Sequence, residues 1–309
     1  MKRPRILLFG NLMAGREAEW AADYDTIVLE DAADELPAGI AAGIEVVVSG
    51  DQLPNALVDA LPALRLVACF STGYTGIDLA YLRERGIRLT TGAGVNAHDV
   101  ADHAIALLLA LWHRIPEADR RVREGGWREM ADARPSLRGK RVGVVGLGRI
   151  GGAIADRLAA HELAVTWWGP HPKPGAKYAR LPGLLELAEW SDILIVASRA
   201  DPENRHQIDA AVLAALGAEG VLVNISRGFL VDESALIGAL RNGTLGGAAL
   251  DVFENEPTSA SEWRDVPNVV LTPHLAGFTR EAGQDLPRQQ HENVRRFFAG
   301  EPLLTPVGD

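Results

Sequence analysis

Residues 140–152, KRVGVVGLGRIGG, constrain this chain more than any other stretch. The apolar residues Val142, Val144 and Val145 lead into Gly146-Leu147-Gly148-Arg149-Ile150-Gly151, and 153–160 (AIADRLAA) reads as a helix. Strand, glycine turn and helix in that order give the pattern G-x-G-x-x-G a mechanism. Gly146 permits the tight turn, Gly148 lets a pyrophosphate approach the backbone, and Gly151 lets the helix pack close to the strand. Free N–H groups at the helix start, around Arg149 and Ile150, then face phosphate oxygens. The whole turn, Leu147 included, is a candidate dinucleotide site.

The rest of the chain alternates strands and helices around that unit. Before it, 5–9, 26–29, 45–48, 64–70 and 87–90 read as strands, with helical pieces at 14–22, 55–61 and 79–84. Near-continuous apolar strands separated by helices imply a parallel sheet covered on both faces. A long apolar helix is expected at 99–112, started by Asp99, then a charged helix at 115–125 and a polar connecting arm at 125–138 containing Trp127. From Lys140 on, six strands are expected, at 141–145, 164–168, 192–196, 220–225, 247–252 and 269–271, and these fit a doubly wound dinucleotide fold. A last helix at 284–298 is expected to cross back to the first sheet. The expected fold is α/β, with two doubly wound parallel-sheet (Rossmann-like) domains and a cleft between them. The substrate domain would be 1–98, completed by 285–309, and the dinucleotide domain 99–284.

Composition removes several function classes. With 31 Lys and Arg against 41 Asp and Glu the net charge is −10, which speaks against a nucleic-acid partner held by phosphate contacts and against an anionic membrane surface. The one cysteine, Cys69, sits in an apolar run and reads as a buried strand residue. It cannot form an internal disulfide, and no Cys/His cluster has zinc spacing, so no metal is expected. The basic start, Lys2, Arg3 and Arg5, precedes an apolar run too short for a signal peptide, and 104–112 is too short to span a bilayer. A cytoplasmic location is the expectation.

Ligands of open α/β sheets bind beyond the carboxyl ends of the strands. Three strand ends carry chemistry: Ser226-Arg227-Gly228 after 220–225, Phe253-Glu254-Asn255-Glu256-Pro257 after 247–252, and Thr272-Pro273-His274 after 269–271. Arginine, carboxylate and histidine are thereby placed on one rim, where they suit carbonyl chemistry.

At these residues the chain resembles the D-2-hydroxyacid dehydrogenase family, most closely its glyoxylate/hydroxypyruvate reductase branch. The resemblance runs over nearly the whole chain: FSTGYTGIDL (70–79), GVNAHDVADHAIALLLA (94–110), GLGRIG, DPENRH (201–206), VNISRG (223–228), AALDVFENEP (248–257) and TPHLAG (272–277). It implies hydride transfer between a nicotinamide and C2 of a 2-oxo acid. Arg227 would polarise the carbonyl and grip the carboxylate with its planar fork. His274 would donate the proton, and Glu256 would favour and orient its imidazolium. Backbone N–H groups around Ser71 and Gly73 would bind the substrate carboxylate. Ser198, Ile225, Asp251, His274 and Gly277 join the implied cofactor-binding set, with Asp251 either contacting the nicotinamide carboxamide or serving as a strand-end cap. A homodimer through 99–138 is implied as well.

NAD enzymes of this fold carry an acid about 20 residues past the first glycine. Here Gly169-Pro170-His171-Pro172-Lys173 stands there, with no acid. Gly169, His171 and Lys173 therefore enter as candidate 2′-phosphate contacts, and NADP(H) is favoured over NAD(H). The branch's usual Ser-Arg is replaced by Gly169-Pro170, and Phe278 stands where many members have a small polar residue. Two further readings share the pattern: an NAD-dependent dehydrogenase of a larger D-2-hydroxy acid, and a dinucleotide-sensing corepressor that binds partner proteins. Formate and phosphite dehydrogenases share the architecture too.

Overall fold

The computed structural model describes residues 3–32, 36, 39–129 and 133–308. The chain forms two compact units, one running through Asn96 and resuming at Arg280, the other Ala97–Thr279.

In the first unit, strands β1 (Arg5–Phe9), β2 (Asp25–Leu29), β3 (Ile44–Ser49), β5 (Leu66–Cys69) and β7 (Arg88–Thr90) form a parallel sheet in the order β2-β1-β3-β5-β7. Alternate side chains of β1 serve two cores. Leu7 and Phe9 pack with Val47, Val67 and Leu89 on one face, while Ile6 and Leu8 pack with Val46, Leu66 and Ala68 on the other. Both faces are thus covered, as an apolar parallel sheet requires. The C-terminal helix, Arg280–Ala299, lends Val294 and Phe297 to the second of these cores. It starts four residues earlier than 284 and runs through Pro287.

Helix α1 is only Glu17–Trp20, shorter than the 14–22 expected, because Gly10 and Gly15 both take positive φ and the chain turns before it can wind. Helices α2 (Asn55–Asp59) and α3 (Leu79–Glu84) stand where the sequence places them. Two strands of two residues each, β4 (Gln52–Leu53) and β6 (Gly76–Ile77), form a separate ribbon too short to leave a period in the sequence.

In the second unit, helix α4 spans Ala97–Trp112 and α5 spans Ile115–Arg123. Asp99 lies inside the first turn of α4 rather than at its cap, and its carboxylate accepts from Thr279 Oγ1 at 3.2 Å. Of the arm expected at 125–138, residues 130–132 lie outside the described ones. Trp127 is 72% exposed, and Pro135 O accepts a bond from Trp112 Nε1 at 3.0 Å.

The sheet of this unit is parallel and, among the described residues, seven-stranded. Its strands are β8 (Arg141–Val145), β9 (Ala164–Trp168), β10 (Ala179–Arg180), β11 (Ile193–Val196), β12 (Val221–Asn224), β13 (Gly247–Leu250) and β14 (Val269–Leu271). Their order is β10-β9-β8-β11-β12-β13-β14. The six expected strands are all present, and β10 is the addition. Successive residues of β11 again split between two cores: Leu194 and Val196 on one face, Ile193 and Ile195 on the other. Truncating such a residue to alanine costs about 2–5 kcal/mol. Among the described residues, no helix is long and apolar enough to cross a membrane.

Candidate active site

The glycine turn lies between β8 and helix α6 (Arg149–Ala160). Gly146 takes φ +90°, and a Cβ there would fall 2.5 Å from Ser198 Cα, in the loop after β11. A Cβ on Gly151 would sit 1.9 Å from Gly146 O. These two glycines are required by the protein's own packing. Gly148 differs, because its φ of −75° suits any residue and a Cβ there would meet no atom within 4 Å. No side chain caps α6, so the N–H groups of its first turn are available to an anion. A backbone brought close by the absence of a side chain, beside unsatisfied N–H groups, fits a dinucleotide pyrophosphate.

Beyond β9 the chain has no carboxylate at Gly169, Pro170 or His171. Lys173 reaches back to the turn, its Nζ donating to Leu147 O at 2.5 Å. Gly169 O accepts two bonds from Arg180 on β10, at 2.8 and 3.1 Å. Arg149 and His171 are exposed. A cavity of about 320 Å³ lies against this segment, lined by Leu147, Gly152, Asp156, Lys173 and Tyr178 among others. Lys177, also on its wall, is paired to Asp156 at 2.7 Å.

Adjacent parallel strands β12, β13 and β14 deliver the rim residues at one edge. After β12, buried Asn224 organises the turn: its Oδ1 accepts from Ser226 N at 3.1 Å and its Nδ2 donates to Arg227 O at 3.1 Å. Arg227 is half-buried and donates from Nη1 to Ser226 O at 2.7 Å. Gly228 fixes that turn against the next, since a Cβ on it would lie 1.8 Å from Phe253 C. Ser226 Oγ donates to Ser198 O at 2.5 Å, and Ser198 Oγ accepts from Gln207 at 2.7 Å. The loop bearing Ser198 therefore touches both the glycine turn and the Arg227 turn. Ile225, directly before Ser226, is buried in one of the two cores.

After β13, Glu256 Oε1 accepts from Phe253 N at 3.0 Å, which aims Oε2 at His274 Nδ1, 2.7 Å away. Both side chains are part-exposed, at 35% and 44%. With Nδ1 held by the carboxylate, Nε2 is the nitrogen left to face a substrate. His274 has φ +54°, a left-handed conformation costing about 1–2 kcal/mol for a non-glycine residue. Its loop winds around Asp251, which is fully buried. The Asp251 carboxylate accepts from Thr272 Oγ1 (2.6 Å), Leu275 N (2.8 Å) and Ala276 N (2.8 Å), and its backbone carbonyl accepts from His274 N (2.8 Å). Of the two readings of Asp251, these bonds give the strand-end cap a full account. Gly277 and Phe278 complete the turn, with Phe278 N donating to Leu275 O and the Phe278 ring 84% exposed.

Sequence reasoning passed over a second charged cluster beside Glu256. Glu254 accepts from His206 Nε2 at 2.6 Å and from Arg205 at 3.0 Å. It also donates its own N–H to Glu233, whose carboxyl is pushed up by burial. Asn224, Glu254 and His103 are polar residues next to apolar runs; that placement was the available signal. In the first unit, Ser71 and Gly73 follow β5, and Gly73 N donates to Ser71 Oγ at 3.3 Å. Cys69, at the end of that strand, is buried and faces the carbonyls of Gly50 and Gly73. Ser71 and Gly73 belong to a different unit from the rim residues.

The chain is similar to known proteins. The NAD binding domain of D-isomer specific 2-hydroxyacid dehydrogenases matches residues 105–276. A glyoxylate/hydroxypyruvate reductase A of Arabidopsis thaliana is 45% identical over 252 residues, 81% of this chain and 80% of that protein. A hydroxyphenylpyruvate reductase of Plectranthus scutellarioides is 44% identical over 253 residues, again 81% and 80%. Among solved structures, an NADPH-dependent glyoxylate/hydroxypyruvate reductase of Sinorhizobium meliloti, in complex with NADP and malonate, matches with a TM-score of 0.88 at 38% identity. That match covers 99% of this chain and 97% of that one. More than half of the chain fits the family's nucleotide domain, and relatives above 40% identity cover four fifths of it, so the chain belongs to the D-isomer specific 2-hydroxyacid dehydrogenases.

Proposed function

We propose that this chain reduces a small 2-oxo acid of the glyoxylate or hydroxypyruvate type to the D-2-hydroxy acid, with NADPH the preferred reductant. The observation that carries the reading is the His274 Nδ1 to Glu256 Oε2 contact of 2.7 Å, at the same sheet edge as the Arg227 turn and the open glycine turn. When bound, the reduced nicotinamide supplies the hydride that reaches C2 of the substrate. The proton for the carbonyl oxygen comes from His274 Nε2 as the C–H bond forms, and solvent restores it afterwards. Glu256 holds the ring through Nδ1, which leaves Nε2 to the substrate. Arg227 is anchored by one N–H to Ser226 O, and its other guanidinium N–H groups grip the carboxylate and the developing oxyanion.

The preference for NADPH rests on the absence of an acid after β9 and on Lys173 at the glycine turn. The NADPH-dependent enzyme of Sinorhizobium meliloti, similar to this chain over almost its whole length, supports the same preference. We further propose a cytoplasmic homodimer joined through 99–138, a segment that exposes Ile115, Val122 and Trp127. Light scattering on a sizing column should give the mass of two chains; the mass of one would refute it.

Absorbance at 340 nm, with glyoxylate, hydroxypyruvate and larger 2-oxo acids against NADPH and NADH in parallel, tests the main reading. Rapid oxidation, faster with NADPH, is expected. Failure to oxidise either cofactor across the panel, with cofactor still bound, would point to the sensing or formate-type alternatives.

A further inference from the structure

The loop that carries His274 is tied to helix α4 by a side chain that the reaction itself does not use. His103 is on α4, and its Nε2 lies 3.0 Å from Thr272 Oγ1 and 3.4 Å from Asp251 Oδ1. The Thr272 hydroxyl has a single hydrogen, and it points to Asp251 Oδ1 at 2.6 Å. Thr272 Oγ1 can therefore only accept from His103, which fixes the ring as the tautomer with hydrogen on Nε2. A directed chain results: His103 Nε2–H to Thr272 Oγ1, Thr272 O–H to Asp251, with Leu275 N and Ala276 N closing on the same carboxylate. The Asp251 side chain is 1% exposed and the His103 side chain 24%. Inside this ring of bonds stands His274, in a left-handed conformation that local preference alone would not select.

We infer that His103 is a positioning residue: by donating to Thr272, whose hydroxyl is bonded to Asp251, it holds the 272–276 loop in the one geometry that keeps His274 facing substrate with Nδ1 on Glu256. The inference rests on His274 being the proton donor. Strained backbone persists only where its surroundings over-determine it, and the hydrogen-bond chain from α4 does so here. Removing the donor leaves Asp251 and the two loop amides in place but lets Thr272 rotate, so the loop samples other conformations without losing its fold.

Two variants separate donation from packing. His103→Leu fills much of the same space without a donor, and His103→Gln restores an N–H near the position of Nε2. The first readout is amide hydrogen exchange of 274–276 in the free protein, and the second is kcat, KM and cofactor affinity. In His103→Leu the amides should exchange roughly tenfold faster and kcat fall roughly tenfold, with KM and cofactor affinity within about twofold; His103→Gln should recover most of both. Unchanged exchange in His103→Leu, a loss confined to KM or cofactor binding, or no recovery in His103→Gln would each overturn the inference. If the unaltered protein reduced no 2-oxo acid, the functional reading would fall, while the exchange comparison would still decide whether His103 holds the loop.

Discussion

Strands β1 and β8 end alike and lead to different things. Each is followed by a glycine at φ +90°, Gly10 and Gly146, and each glycine donates its N–H to the last residue of the neighbouring strand, Leu29 at 2.8 Å and Trp168 at 2.7 Å. After Gly10 the chain makes a wandering turn. Leu12 stays half-exposed, Met13 is buried, Arg16 stacks over Phe70 at 4.8 Å, and the helix that follows has four residues. After Gly146 come Gly148 and a twelve-residue helix with an uncapped start, pressed onto the strand at Gly151. Two parallel strands with the same glycine ending thus lead into different local structure. The site lies in the residues after the strand, not in the fold.

The two strand ends should part most sharply when their glycines are replaced. Gly146→Ala drives a Cβ into Ser198 backbone and should cost about 4 kcal/mol or more, whereas Gly10→Ala meets nothing within 4 Å and should cost only the conformational strain, about 1–2 kcal/mol. Urea unfolding of both variants measures the difference, and equal losses would show that the backbone conformation, not the approach to Ser198, is what demands glycine.

The first unit also closes its strand ends with buried side chains. Burial pushes the Cys69 thiol up from 9.0 to about 12, and the thiolate is the reactive form. At pH 8 the native protein should label with iodoacetamide about a thousandfold more slowly than the urea-unfolded chain. Because the folded pKa is raised, stability should also fall as pH rises from 9 towards 12. Labelling at the unfolded rate would mean that this end of the sheet opens freely.

Gly148→Ala gives the smallest structural effect and so the sharpest distinction. Its backbone angles suit alanine, so stability should change by less than about 1 kcal/mol, while NADPH affinity falls roughly tenfold through the blocked approach to the pyrophosphate. Fluorescence titration reads this directly, and unchanged affinity would show that the cofactor does not approach the turn at Gly148.

Much of this is legible in the sequence alone, for a physical reason. Near-continuous runs such as Ile193–Val196 declare a buried parallel strand, and three glycines at fixed spacing declare a turn that side chains cannot make. The family's motifs located Arg227, Glu256 and His274 by strand end. Strand β10 leaves no trace in the sequence because two residues carry no period, and α1 is shorter than 14–22 because alanine content says nothing of the positive φ at Gly15. Asp99 looked like a cap because an acid before an apolar run usually is one; its actual partner, Thr279, is 180 residues away. The bonds of Glu254 and His103 are hidden for the same reason. A buried polar side chain is explained by partners distant in sequence, which no local pattern encodes.

Everything proposed for the reaction turns on His274 as the proton donor, and single-turnover absorbance at 340 nm tests that role most directly. Unaltered protein and His274→Ala would each be loaded with NADPH and mixed with hydroxypyruvate, with cofactor affinity measured on the same samples. The expected result is a loss of about 10²–10⁴ in the rate of NADPH oxidation with cofactor affinity nearly unchanged. Oxidation at the unaltered rate, or a loss of cofactor affinity as large as the loss of rate, would contradict it.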